Sequence, residues 1–323
     1  MLTQLRPVSA ESKPKNYVFF NLNREGIKNR SFYDSKLFEG AEIKYTWRSL
    51  EPQKGLYDFS AIEKDISFLQ SKGKRLFIQL QDVSFDPKIV NVPTYITNDP
   101  EYAGGANLQY DFKDDKDNEP KEMGWVSRRW DKTVRERYTI LLDEIANQFD
   151  GRIEGIVLPE TSVEFGMTGK YFPTKYNPEK YRNSIIEIMK AAHNAFKKSL
   201  VLQYANFMPG EWLPWDDKGY LASIFEEAQS LKIGIGGPDI IPYKKGQMNH
   251  SYYFAHKYYG KIKLGYAVQE GNYSQMNART GKIMTIDDIY TFASEYLKSD
   301  YIFWYPEEPY FSKNVVPYLR TRK

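Results

Sequence analysis

Two carboxylates, Glu160 and Glu270, each follow closely on a short apolar segment, at residues 153–158 and 262–268. A carboxylic acid can give a proton to a leaving group, and a second carboxylate can attack a carbon centre or activate water. Hydrolysis of a glycosidic bond needs two such groups, one on each side of the bond that breaks. The two glutamates therefore predict this chemistry, provided that the fold brings both apolar segments to one site.

The composition excludes several other chemistries. The 323 residues include no cysteine and three histidines, so disulfides, thiol catalysis and iron–sulfur clusters are excluded. The histidine spacing does not fit a metal site, and the EF-hand pattern is absent. Lys+Arg total 45 and Asp+Glu total 42, and the resulting net charge of +3 does not indicate binding to nucleic acid. Glycine-rich nucleotide-binding motifs are also absent. We therefore expect no cofactor, no metal and no nucleic-acid partner.

Eight short segments rich in Val, Ile and aromatic residues alternate with segments of helical period. The strand candidates are residues 17–23, 41–46, 75–81, 153–158, 200–204, 232–236, 262–268 and 300–304. This alternation predicts parallel strands joined by helices, and eight such units close a barrel. The predicted fold class is α/β, a single (β/α)₈ TIM barrel over residues 16–323. A polar tail, residues 1–15, precedes it, and a long loop, residues 82–130, follows the third strand.

Capping residues predict where three of the helices begin. Ser60 with Glu63 fits a capping box, in which each residue satisfies a backbone N–H near the helix start. Asn177 precedes a proline at the first helical position, and Thr285 precedes another apolar helical stripe. In the long third loop, the charged residues 111–121 fit a functional loop and a solvated excursion equally well.

Barrels of this kind carry their chemistry at the carboxyl ends of the strands. Strands four and seven lie across the barrel mouth, so Glu160 and Glu270 are expected to face each other. A separation of about 5–5.5 Å between the two carboxyl groups indicates retention of configuration, and about 6.5–9.5 Å indicates inversion. The other strand ends carry amides, an acid, an arginine and aromatic rings, which could bind a sugar: Asn21, Trp47, Arg48, Gln81, Tyr204, Asn206, Asp239 and Trp304.

The segment from Trp47 to Asp58, with Glu-Pro and then Gly-x-Tyr-Asp, resembles the segment after strand two in clan A retaining glycoside hydrolases. These enzymes form the four/seven superfamily of (β/α)₈ barrels. The resemblance implies that Glu160 is the general acid/base and Glu270 the nucleophile, and that Trp304 is a platform for sugar. It departs at one position, because the family usually has Asn before the acid/base glutamate and this chain has Pro159. Asn206 or Gln203 could supply the missing hydrogen bond.

Each candidate also has a structural interpretation. Either catalytic glutamate could be a rim residue paired with Arg48, and Glu164 is a rival to Glu160. The two tryptophans could simply plug the barrel, and Asp239 could be a turn residue.

The predicted function is a retaining glycoside hydrolase that cleaves O-glycosidic bonds in an oligo- or polysaccharide. The alternatives are a non-catalytic carbohydrate-binding barrel, which Pro159 favours, and a barrel enzyme of other chemistry, such as a lyase or isomerase. We find no stretch near the roughly 18 apolar residues of a membrane span. Since residues 1–15 contain no signal peptide, we expect either a cytoplasmic protein or an exported one whose signal is missing from this sequence.

Overall fold

A computed structural model describes residues 13–322 of the chain. Eight parallel strands close into a barrel in the order β1-β10-β9-β8-β7-β6-β3-β2, which confirms the predicted (β/α)₈ fold. The barrel strands are β1 (Lys15–Phe19), β2 (Gly40–Thr46), β3 (Arg75–Gln81), β6 (Gly155–Leu158), β7 (Leu200–Tyr204), β8 (Gly234–Gly237), β9 (Leu264–Val268) and β10 (Tyr301–Trp304). Most of the predicted tail, residues 1–12, lies outside the described residues, and Lys15 already belongs to β1.

Helices of three turns or more cover the outside of the barrel, and shorter ones join them. The long helices are α3 (Ser60–Ser71), α5 (Lys132–Phe149), α6 (Pro178–Ala195) and α7 (Tyr220–Leu231). The shorter ones are α1 (Arg30–Tyr33), α2 (Trp47–Leu50), α4 (Thr94–Asn98), α8 (Lys245–Asn249), α9 (Ser251–Tyr258), α10 (Ile286–Thr291) and α11 (Val316–Thr321). Within residues 13–322, every helix is too short or too polar to cross a lipid bilayer.

The cap predictions hold at two of the three helices. Asn177 accepts a hydrogen bond from the backbone N–H of Lys180 at 2.7 Å, and Thr285 forms a capping box with Asp288. At α3 the predicted capping box is wrong. The carboxylate of Asp58 accepts the hydrogen bond from the Ser60 N–H at 3.0 Å, and Glu63 instead pairs with Arg152. The acceptor therefore lies two residues earlier than predicted, because Asp58 reaches the free N–H groups from outside the helix.

The insertion after β3 has structure of its own. It contains α4 and an antiparallel hairpin of two strands, β4 (Ala106–Asp111) and β5 (Lys121–Ser127). The backbone N–H of Ser84, just beyond β3, donates to the carbonyl of Trp125 at 2.7 Å, and Val83 bridges Val126. These bonds hold the hairpin against the end of the third barrel strand, beside the barrel mouth.

Aromatic rings fill the centre of the barrel. Successive residues of a strand point to opposite faces, so alternate residues face the interior. The ring of Phe77 packs edge-on against Tyr17 and Phe303, at centroid distances of 5.0 and 5.1 Å. Strand β8 makes room for such rings with glycine, since a Cβ on Gly236 would lie 2.7 Å from the Tyr204 ring. Part of the high aromatic content, 16% of the residues, therefore forms the barrel core.

Candidate active site

A cavity of about 230 Å³ opens where the barrel strands end. It is smaller than the roughly 300–1,000 Å³ of pockets for drug-sized ligands, so it suits one small ring. Its lining combines three glutamines, two carboxylates and a lysine with aromatic and small residues: Phe19, Lys44, Gln79, Gln81, Phe85, Glu160, Tyr204, Pro238, Asp239, Ala267 and Gln269. Gln81, Glu160, Tyr204 and Asp239 are thus four of the predicted site residues that the structure brings together.

Glu160 lies in this cavity with its carboxyl group held in place. The side-chain amide of Asn206 donates to Glu160 Oε2 at 2.6 Å, and Arg129 donates to the Glu160 carbonyl oxygen at 2.8 Å. The pKa of Glu160 is raised from 4.5 to about 7, mainly by burial and then by the charge of Asp239, and the bond from Asn206 and the charge of Lys44 oppose this rise. Such a carboxyl group keeps its proton at mildly acidic pH and can serve as a general acid.

Asn206 therefore donates a hydrogen bond to the glutamate itself. The chain has Pro159 at the position where the family that it resembles usually has asparagine. Gln203, the other residue considered for this role, donates instead to the carbonyl of Pro159 at 2.7 Å. The amide of Asn206 is fixed in turn, because its Oδ1 accepts from the Phe207 N–H at 2.9 Å and from the Ser162 N–H at 3.3 Å. These bonds orient the Nδ2 donor toward Glu160.

Arg129 anchors the backbone of the same glutamate and was not predicted from the sequence. Its guanidinium forms a two-point ion pair with Asp82, with bonds of 2.9 and 2.5 Å, and both side chains are buried. It also donates to the hydroxyl of Tyr181 at 2.8 Å. Arg129 follows the β4–β5 hairpin, and its bonds to Asp82 and to the Glu160 carbonyl tie the end of the insertion to the ends of the third and fourth barrel strands.

The second carboxylate of the cavity belongs to Asp239, after β8. Its Oδ1 accepts a hydrogen bond from the Asn272 amide at 2.9 Å. Burial raises the pKa of Asp239, while the bond from Asn272 and the charge of Lys244 lower it. Asp239 and Glu160 are coupled, since the charge of Asp239 contributes to the raised pKa of Glu160. The structure thus offers two carboxyl groups in one cavity with different surroundings.

Glu270, the predicted nucleophile, is exposed and does not line the cavity. It lies at the rim beside Tyr305, whose pKa is raised by burial and then by the neighbouring Glu270 and Glu307. The residues of the seventh barrel strand that line the cavity are Ala267 and Gln269. Strand β9 ends at Val268, and Glu270 lies in the turn that follows it. The carboxylate that lines the cavity together with Glu160 is that of Asp239.

The two predicted sugar platforms, Trp47 and Trp304, are fully buried. The indole N–H of Trp47 donates to Glu51 at 2.9 Å, and that of Trp304 donates to Asn16 at 2.8 Å. Neither ring offers a free face to a ligand. Both tryptophans are therefore core residues, which agrees with the alternative that they plug the barrel. Their position at strand ends did not reveal which side of the strand each ring occupies.

Arg48 and Asn21 also lie outside the cavity lining. Arg48 donates to the carbonyl of Val92 at 2.8 Å and so holds the insertion. The Asn21 carbonyl accepts from the N–H of Lys44 at 2.9 Å. In place of these residues the cavity contains Lys44, whose ammonium lies 5.2 Å from the centre of the Phe19 ring. Lys44 alternates with apolar neighbours in β2, and that alternation was the available signal.

Two of the cavity glutamines carry oxygens that lack hydrogen-bond partners among residues 13–322. These are Oε1 of Gln79 and Oε1 of Gln81, on side chains only 4% and 7% exposed. A buried polar atom without a partner is costly, so such atoms indicate a ligand or water that donates to them. Hydroxyl groups are suitable donors. Within the described part of the chain, acidic and histidine side chains form no cluster of three that could hold a metal ion.

Comparisons with solved structures agree with the fold. The catalytic domain of β-amylase from Paenibacillus polymyxa matches with a TM-score of 0.58 and 7% identity, over 91% of this chain and 93% of that one. Xylanase XynB from Paenibacillus barcinonensis matches with 0.54 and 13%, over 91% and 84%. Xylanase 10B from Thermotoga petrophila matches with 0.54 and 10%, over 91% and 82%.

No protein-family model and no curated protein matches the chain. At identities of 7–13% the structural likeness shows the fold alone. These neighbours are glycoside hydrolases built on the same barrel, which agrees at the level of fold with the resemblance that the Trp47–Asp58 segment carries.

Proposed function

We propose that the protein is a glycoside hydrolase, with Glu160 as its general acid/base. The observation that carries this proposal is the carboxyl group of Glu160, held by Asn206 in a ring-sized cavity with a pKa of about 7. The unpaired amide oxygens of Gln79 and Gln81 suit a ligand rich in hydroxyl groups. The glycosidase neighbours support the same class of reaction by their fold, and the substrate we propose is an oligo- or polysaccharide.

The proposed reaction is a double displacement with retention of configuration. Glu160 gives its proton to the glycosidic oxygen as the bond between that oxygen and the anomeric carbon breaks. The second carboxylate attacks the anomeric carbon and forms a glycosyl ester. Glu160, now a carboxylate, takes a proton from water, whose oxygen bonds to the anomeric carbon. The ester bond breaks, which releases the sugar and restores the second carboxylate.

For the second carboxylate, the geometry favours Asp239 and the sequence pattern favours Glu270. The two assignments are tested by Asp239→Ala and Glu270→Ala, each assayed with an activated aryl glycoside and with added azide. An alanine in place of the nucleophile leaves space in which azide attacks the anomeric carbon, so rescue with a glycosyl azide product of inverted configuration identifies the nucleophile. Rescue of Glu270→Ala alone would overturn the choice of Asp239, and rescue of neither variant would argue against a covalent intermediate.

The function itself is tested by the release of reducing ends from a panel of glycans, beginning with xylan and starch. Wild type is expected to hydrolyse at least one of them, and Glu160→Gln is expected to lose most of that activity.

The position of Glu270 outside the cavity favours a second candidate, a barrel that binds carbohydrate without cleaving it. Binding of a glycan by wild type without any release of reducing ends would support this candidate and refute the enzyme.

A further inference from the structure

A second and larger cavity adjoins the candidate active site. It measures about 550 Å³ and lies between the hairpin loop of the insertion, the loop after β6 and the loop after β7. We call it the outer groove. Its apolar lining includes Phe165, Met167, Phe172, Phe207, Met208 and Trp212. The first cavity has room for one small ring, so the outer groove is the space into which a longer ligand would extend.

The outer groove is continuous with the residues that hold Glu160. Ser162 and Phe207 line the groove. The backbone N–H of each donates to Oδ1 of Asn206, and the Nδ2 of the same amide donates to Glu160. The side chain of Asn206 therefore links the groove wall to the carboxyl group of Glu160. A chain bound through its end unit at Glu160 would leave along this wall.

Trp212 supplies a firmly held aromatic face in the outer groove. Its side chain is 48% exposed, yet the ring stacks on Phe207 with centroids 5.7 Å apart and an interplanar angle of 7°. A second ring, that of His250, lies 4.7 Å from the Trp212 ring. His250 is itself fixed, since its Nε2 accepts from the Leu213 N–H and its Nδ1–H donates to the Gly246 carbonyl. An exposed indole that cannot turn away is suited to stack on the apolar face of a sugar ring.

The charge of the outer groove limits what it can bind. Its lining includes six carboxylates and one lysine: Asp111, Asp114, Asp115, Asp117, Glu164, Glu211 and Lys113. Lys113 is already paired with Glu119. Two of the acids are structural, because Asp117 accepts from the N–H groups of Met167 and Thr168, and Glu211 accepts from those that begin α7. The remaining negative charge repels an anionic ligand and tolerates a neutral one.

We propose that the outer groove binds further, neutral sugar units of the same glycan, with Trp212 as their stacking platform. The protein then acts on an extended chain and not only on a single terminal unit. This inference rests on the proposed function, because it takes the ligand at Glu160 to be a sugar. It also assigns the role of sugar platform to Trp212, which is exposed. Trp47 and Trp304 cannot fill that role because both are buried.

The test is the dependence of affinity on chain length. The inactive variant Glu160→Gln is titrated with xylo-oligosaccharides and malto-oligosaccharides of increasing length, starting from the monosaccharide, by isothermal calorimetry. In one series the affinity is expected to rise beyond the first unit. Adding Trp212→Ala should remove that rise and weaken the longest ligand roughly tenfold, whereas Trp212→Phe should keep most of it. Oligogalacturonates, which are anionic, should show no rise with length.

Trp215→Ala is the matched control, because Trp215 lies in the same loop, is 67% exposed and does not line the outer groove. It should keep the full rise, and circular dichroism confirms that each variant is folded. Provided that the monosaccharide still binds, two results would overturn the proposed role of the outer groove. One is an equal loss of affinity in the Trp212→Ala and Trp215→Ala variants. The other is an affinity of Glu160→Gln that does not change with chain length. If no sugar binds and wild type hydrolyses no glycan, both the proposed function and the proposed role of the outer groove are refuted.

Discussion

The proton on Glu160 gives the most direct test of the candidate active site. With a pKa of about 7, this carboxyl group is about 90% protonated at pH 6. A carboxyl group with the ordinary pKa of 4.5 would be only about 3% protonated at that pH, so the cavity increases the amount of usable acid by about 30-fold. Wild-type kcat/KM on a glycan should therefore hold up to about pH 7 and then fall about tenfold per pH unit.

The perturbation is Glu160→Gln, which keeps the size of the side chain and an oxygen that can accept the bond from Asn206. Loss of the general acid should lower kcat/KM by about 10²- to 10⁴-fold on a glycan. A dinitrophenyl glycoside has a leaving group that needs no proton, so the bond-breaking step should slow far less with that substrate. Both substrates are assayed by initial rates from pH 4 to 9 in the two proteins.

Two results would refute this reasoning. One is an alkaline fall in wild-type activity centred near pH 4.5, which would mean that the cavity does not hold the proton on Glu160. The other is an equal loss of kcat/KM with both substrates, because kcat/KM reports the bond-breaking step, in which the general acid matters most for the poor leaving group. Persistence of the same alkaline fall in Glu160→Gln would assign that ionisation to another group.

Three further variants probe the surroundings of this acid. Asn206→Ala removes a bond that lowers the pKa of Glu160, so the alkaline fall in kcat/KM should move to higher pH, and an unchanged pH profile would contradict the role of that bond. Arg129→Met removes the charge partner of the buried Asp82 carboxylate and should lower the free energy of unfolding in urea by about 3–5 kcal/mol. A loss below about 1 kcal/mol would show that the pair is not buried as described. Glu42 is fully buried, and burial raises its pKa to about 8. Between pH 4.5 and 8 the native state therefore holds a proton that the unfolded state has lost, so the free energy of unfolding falls as pH rises. Glu42→Gln should flatten that fall between pH 5 and 8, and equal slopes in the two proteins would disprove the assignment.

The barrel could be predicted from the sequence because its signals are local and repeated. Eight apolar segments separated by helical stripes leave few topologies, and a right-handed parallel barrel is the simplest. The position of the insertion was harder to predict, since bonds such as Ser84 to Trp125, which join residues distant in sequence, hold its hairpin against the end of β3. For the same reason Arg129, which follows the hairpin and donates to the Glu160 carbonyl, gave no local signal.

The site was predictable in location but not in the direction of each side chain. A strand end can be recognised to within a residue or two, whereas a shift of one residue moves a side chain to the opposite face. Gln269 lines the cavity and the adjacent Glu270 does not.

The alternation within β2 shows how this ambiguity could have been reduced. Ala41, Ile43 and Tyr45 pack in the outer core toward the helices, so the residues between them, Glu42 and Lys44, must face the barrel interior. The same counting applied to β9 puts Leu264 and Val268 on the helix side, and hence Ala267 and Gln269 inside. Strand β9 ends at Val268, however, and the chain turns at Glu270, so this counting does not fix the direction of the Glu270 side chain. The lining of the cavity favours Asp239 as the partner of Glu160, whereas the family pattern favours Glu270, and azide rescue of Asp239→Ala against Glu270→Ala decides between the two.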